Sequence, residues 1–190
     1  MCHPHPLYGG DMDNIVVMQV VQACAAEGLA TLRFNFRGVG ESTGSHDGGR
    51  GEQHDLDAAL DHLAARLAAP RGVAAAGYSF GARVAAVVTG RRADLAGLAL
   101  IAPPLGMSPD RFDGLTALSV PLLVVAGTRD DICPTQALDA LATTLPRAEI
   151  RRIEGADHSF WGCLDSLGDA VRSWARALRP GDAAGRGRTG

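Results

Sequence analysis

Gly72-Val73-Ala74-Ala75-Ala76-Gly77-Tyr78-Ser79-Phe80-Gly81 joins a small apolar run to a G-x-S-x-G pentapeptide, and Ala82-Arg83-Val84-Ala85-Ala86-Val87-Val88 follows. The pattern reads as strand, tight turn and helix, the setting of a nucleophile elbow. A serine on such a turn has strained backbone angles, and side chains at the flanking positions would crowd it, hence Gly77 and Gly81. The helix that starts there aims free N–H groups at any oxyanion forming beside the serine. Taken alone the pentapeptide is weak evidence in a chain with 24 glycines, and a small-residue turn packing a helix on a sheet would look the same.

Working outward, two further segments give the serine partners. The apolar run 121–126 reads as a buried parallel strand and ends in Gly127-Thr128-Arg129-Asp130-Asp131-Ile132-Cys133-Pro134. Carboxylates therefore stand at the carboxyl end of a strand, where open α/β sheets keep their sites. The strand pattern 149–153 runs into Glu154-Gly155-Ala156-Asp157-His158-Ser159-Phe160, which puts a histidine in the loop after the last strand. Serine, acid, histidine is the chain order of one triad scheme. The remaining periodicities predict helices over 13–27, 52–68, 80–88, 135–145 and 163–178, and strands over 29–36 and 95–102. The fold class that follows is α/β: a doubly wound, mostly parallel sheet with helices on both faces, in a single domain over 1–180. Residues 181–190 read as a disordered tail.

GYSFG, GTRDDICP and GADHSF resemble the corresponding segments of the α/β-hydrolase superfamily. His3-Pro4-His5-Pro6-Leu7-Tyr8-Gly9-Gly10, Asp13-Asn14 and Arg33-Phe34-Asn35-Phe36-Arg37-Gly38-Val39-Gly40-Glu41-Ser42 are similar to those of small capless bacterial hydrolases related to esterases and dienelactone hydrolases. The resemblance spans about residues 3–179. It implies Ser79 as nucleophile, His158 as its base and an aspartate orienting the histidine. The family spacing G-x-x-D-x-x-x-P selects Asp130, leaving Asp131 as a solvated loop residue, while Asp157 reads as a turn residue. The oxyanion hole would be the N–H of Phe80 and one from the loop 5–10. Pro6 has no N–H; Leu7 best matches the family position, with Tyr8 second. Only residues 105–120 separate the strands that flank a cap in larger relatives, so an open site is expected. In the family the HPHP segment follows a central strand, itself preceded by a hairpin. Here almost nothing precedes it, so the N-terminal strands are expected to be lacking; a misassigned start at Met1 is one explanation, which the sequence alone does not decide.

Other candidates carry less. Cys2, His3 and His5 invite a metal, but no further Cys/His cluster completes a ligand set, and a role bonding neighbouring loops is the simpler reading. Glu52, His54, Asp55, Asp57, Asp61 and His62 read as the solvated face of a helix whose apolar face is Leu56, Leu60, Leu63 and Leu67. Phe112, Phe160 and Trp161 either line a pocket or pack the last helix. No metal and no cofactor is called, and dinucleotide binding is disfavoured because Gly38-Val39-Gly40 lacks the third glycine. A net charge of −3 without a basic stripe does not imply nucleic acid. No stretch reads as a membrane span or signal peptide, and four scattered cysteines fit free thiols in a reducing cytoplasm.

The leading expectation is a serine hydrolase acting through an acyl-enzyme on small carboxylic esters, its partner a small-molecule acyl substrate. A small aminopeptidase or thioesterase would use the same residues. A hydrolase-fold binding protein, inactive through an incomplete sheet, is the alternative outside enzymes. Neither the acyl group nor the oligomeric state is readable.

Overall fold

The computed structural model describes residues 1–67, 72–107 and 109–179. Four strands form one parallel sheet in the order β1-β2-β3-β4: Val73–Tyr78, Leu95–Ile101, Leu122–Gly127 and Glu149–Ile153. Their short apolar runs alternate between two cores, as a strand buried on both faces must. Ala75, Leu98, Leu100, Val124 and Ala126 pack on one face beneath α2 (Gly51–Leu67), α3 (Phe80–Thr89), the 3-10 segment Pro109–Ala117 and α4 (Thr135–Thr144). Ala76, Tyr78, Ala99, Ile101, Leu123 and Val125 pack on the other beneath α1 (Ile15–Ala26) and α5 (Leu164–Ala177). The sequential strand order explains this division. Right-handed crossovers marching one way across a parallel sheet put all their connections on the same face, so the opposite face must be covered by helices from outside that run.

The expected strand over 29–36 does not form. A strand exists by its ladder, and what lies beside this segment is residues 1–3. Cys2 bridges to Gly77 in parallel, with Cys2 N–H donating to the Ala76 carbonyl at 2.8 Å and Tyr78 N–H to the Cys2 carbonyl at 3.1 Å. Between residues 1–3 and 29–36 there are two hydrogen bonds among the described residues: the Met1 amine donates to the Leu32 carbonyl at 2.7 Å, and Phe36 N–H donates to His3 Nε2 at 3.0 Å. One of these acceptors is a side chain, so no ladder results. Further along, the segment and β1 are separated by a cavity of about 400 Å³ lined by Leu29, Leu32, Leu63, Val73, Ala74 and Trp174, among others.

The other predicted helices and strands form, with ends shifted by a residue or two. The solvated reading of α2 needs correction at Glu52, which is fully buried. Its carboxylate accepts the N–H groups of Asp47 (2.9 Å) and Gly49 (2.8 Å), closing the loop that precedes the helix. Asp55 pairs with Arg37, and Asp57 and Asp61 with Arg92, while His54 and His62 are exposed. Leu56 and Leu60 are in the core, whereas Leu63 and Leu67 line the cavity. The expected tail, 181–190, lies outside the described residues. Among the described residues no helix is long and apolar enough to cross a membrane.

Candidate active site

Ser79 stands between β1 and α3 with φ 53° and ψ −117°, a conformation that side-chain-bearing residues rarely adopt. Its flanking glycines are sterically required. A Cβ on Gly77 would lie 2.2 Å from the Gly81 carbonyl oxygen, and one on Gly81 would lie 2.6 Å from that of His3. The strained turn lifts the hydroxyl off the end of the strand while α3 begins at the next residue.

Asp130 follows β3 and His158 follows β4, so strands two places apart and their neighbour bring the three side chains to one end of the sheet. His158 Nε2 lies 2.9 Å from Ser79 Oγ, and His158 Nδ1 lies 2.9 and 3.0 Å from the two Asp130 oxygens. Asp130 is buried at 4% exposure. Its Oδ1 also accepts the N–H groups of Ile132 and Cys133, both at 2.9 Å, which fixes the carboxylate's direction. Asp131 is exposed and takes no part. Asp157 accepts the N–H groups of Ser159 (3.0 Å) and Trp161 (3.1 Å), shaping the turn that presents His158. The acid and histidine loops are tied together by Arg129 N–H to the Ala156 carbonyl and Gly155 N–H to Thr128 Oγ1, both 2.9 Å.

Tyr78 is a supporting residue that the sequence reading passed over. Its hydroxyl donates to the His158 carbonyl at 3.1 Å and its ring lies 5.5 Å from the imidazole. Burial pushes its phenol up to about 12, so it stays a donor. The signal was available: the last residue of a buried strand before a nucleophile turn is held between sheet and helix, and a tyrosine there needs a polar partner.

Phe80 N–H, at the first turn of α3, has no hydrogen-bond partner among the described residues and is free to meet an oxyanion. Leu7 and Tyr8 lie in the 3-10 turn Pro6–Tyr8. Tyr8 N–H is spent on the His5 carbonyl at 3.1 Å, whereas Leu7 N–H makes a longer, 3.2 Å bond to His5 Nδ1. The aromatic candidates divide. Phe112 and Phe160 are core residues on opposite faces of the sheet, and Trp161 is exposed. His3 bonds loops together, through Phe36 N–H and the Pro4 carbonyl, as expected of it.

A parallel sheet with Ser, Asp and His gathered at its carboxyl edge defines a protein of the α/β-hydrolase fold. The alpha/beta hydrolase domain family matches residues 8–179, and the chain belongs to that family. It is 34% identical over 179 residues to an uncharacterised protein of Rickettsia prowazekii, covering 90% of this chain and 75% of that one. Among solved structures it is similar to an alpha-beta serine hydrolase homologue from Coxiella burnetii, with 38% identity, TM-score 0.83, and coverage of 90% of this chain and 81% of that one. A serine hydrolase without a lid from Xanthomonas campestris is 34% identical with TM-score 0.84, covering 95% of this chain and 81% of its own.

Proposed function

We propose that the chain is a serine hydrolase that cleaves small carboxylic esters through an acyl-enzyme, with Ser79, His158 and Asp130 as its triad. The unbroken contact chain from Ser79 Oγ through both imidazole nitrogens to a buried carboxylate carries this reading. With Asp130 ionised, His158 Nδ1 carries the proton and Nε2 is left to accept. Ser79 Oγ adds to the ester carbonyl as its proton passes to Nε2, and the carbonyl oxygen becomes an oxyanion facing Phe80 N–H and Leu7 N–H. Collapse expels the alkoxide, which takes the proton from Nε2. Water then repeats the sequence on the acyl-enzyme, releasing the acid and restoring Ser79.

The substrate class is argued from the surroundings. Among the described residues the short 3-10 segment Pro109–Ala117 is the one element between β2 and β3, and it packs on α3. Leu7, Tyr8 and Trp161, on the loops that carry the oxyanion donor and the histidine, are 70%, 86% and 83% exposed. An open, apolar rim suits small acyl groups without a deep pocket. The test is covalent labelling by a fluorophosphonate together with p-nitrophenyl acetate turnover. Ser79→Ala should abolish labelling and lower kcat by a factor on the order of 10⁶, as in triads where serine or histidine is lost. Turnover by the folded variant within tenfold of the parent would overturn the assignment.

A further inference from the structure

We propose that His5 is a positioning residue of the oxyanion hole: its neutral imidazole orients Leu7 N–H and rests on Phe80, so that one side chain sets both donors. The proposal rests on the reading of Leu7 and Phe80 as the oxyanion pair. His5 caps the turn Pro6–Tyr8, and its Nδ1 takes Leu7 N–H in the i to i+2 pattern of an Asx turn. Asn14 Oδ1 does the same for Val16 N–H at 3.0 Å. A neutral ring nitrogen is an acceptor and a protonated one is not, so the bond exists only while His5 is uncharged.

The ring is also built into the site. It packs 4.9 Å from the Phe80 ring, 4.8 Å from His46 and 4.8 Å from Tyr8, and His46 in turn packs 5.3 Å from Phe80. Behind His46 is the fully buried Glu52, whose Oε1 lies 2.8 Å from His46 Nδ1 in a close contact that is not an aligned hydrogen bond. Arg83 from α3 covers Phe80, its guanidinium carbon 5.1 Å from the ring centre. The charged and titratable groups around His5 are therefore His46 and Arg83, which oppose its protonation, and Glu52, which favours it. Burial together with the first two holds His5 below the ordinary histidine range. At neutral pH the acceptor is in place. In acid it becomes a donor, and Leu7 N–H loses the partner that fixes its direction.

The bond that positions Leu7 is also one it can yield. At 3.2 Å it is longer than most amide bonds, and an oxyanion is a stronger acceptor than an imidazole nitrogen. Leu7 N–H is thus held by an acceptor that an oxyanion can displace, whereas Tyr8 N–H is held by the His5 carbonyl inside the turn.

The experiment compares parent, His5→Ala and His5→Asn, by fluorophosphonate labelling rate and by ester kinetics from acid to neutral pH. Loss of one oxyanion donor costs roughly 10²–10³ in rate, so a misaimed donor should lower kcat in His5→Ala by about tenfold to a hundredfold with KM little changed. His5→Asn restores an acceptor at the cap that does not titrate. It should recover most of the loss and make the acid limb of kcat/KM less steep than the parent's, because the His5 proton no longer contributes. If the parent labels and turns over but His5→Ala matches it and the acid limb is unchanged in His5→Asn, this inference fails and the hydrolase reading stands. A parent that neither labels nor turns over ester would overturn both.

Discussion

Two adjacent aspartates, Asp130 and Asp131, have the same chemistry and opposite fates. Backbone direction alone separates them: Asp130 turns inward beneath His158 and takes two further N–H donors, and Asp131 faces solvent. Asp130→Asn should cost on the order of 10⁴-fold in kcat, because an amide no longer imposes the Nδ1–H tautomer on the histidine. Asp131→Asn should leave kcat within about twofold, as exposed substitutions away from the site do. Steady-state kinetics of the two variants decide the matter, and the reverse ranking would show the acid misplaced. Glu52 teaches the opposite lesson about reading residues. It looks like any acidic residue on a helix face. It is buried because the donors it serves, Asp47 N–H and Gly49 N–H, belong to a preceding loop whose path no periodicity reveals.

At the scale of elements, the turn between β1 and α3 carries the proposed nucleophile and is also a point of tight packing. Gly77 and Gly81 let the end of the strand, the start of the helix and residues 2–3 meet backbone to backbone. Because the atoms a Cβ on Gly77 would strike are all backbone, nothing can swing aside. Gly77→Ala should cost about 3 kcal/mol or more, the upper end for overpacking. Gly155→Ala is the control. Its φ is 74° but no atom lies within 4 Å of the added Cβ, so only the left-handed conformation is penalised, about 1–2 kcal/mol. Urea midpoints would rank the pair, and equal losses would show that the backbone contact at Gly77 relaxes around the added Cβ. The pentapeptide was legible in the sequence because this steric demand leaves small residues as its trace. The strand pattern at 29–36 misled because its alternation is local, whereas forming a strand depends on a partner remote in sequence.

The whole molecule depends on how that segment is held. Between it and β1, residues 1–3 form the connection, and His3 is its centre: fully buried, with Nε2 accepting Phe36 N–H and Nδ1 2.7 Å from the Pro4 carbonyl. These two partners require the neutral tautomer with hydrogen on Nδ1. Burial lowers the pKa of His3 from 6.5, against the opposing pull of the Pro4 carbonyl. The unfolded chain therefore binds a proton on this residue at a higher pH than the folded one does. Above the unfolded value neither state is protonated, and the contribution of His3 to stability is complete. As pH falls through that value and on through the lower folded value, the unfolded state gains protons first and stability is lost. His5, lowered in the same direction, adds to the slope. His3→Gln should lower stability at pH 8 by about 1–3 kcal/mol, since Phe36 N–H is left with a poorer buried acceptor. It should also flatten, without abolishing, the decline of the urea midpoint between pH 7.5 and pH 5. Parallel midpoint curves for parent and variant would mean that His3 is not the group whose protonation loosens the segment from the sheet.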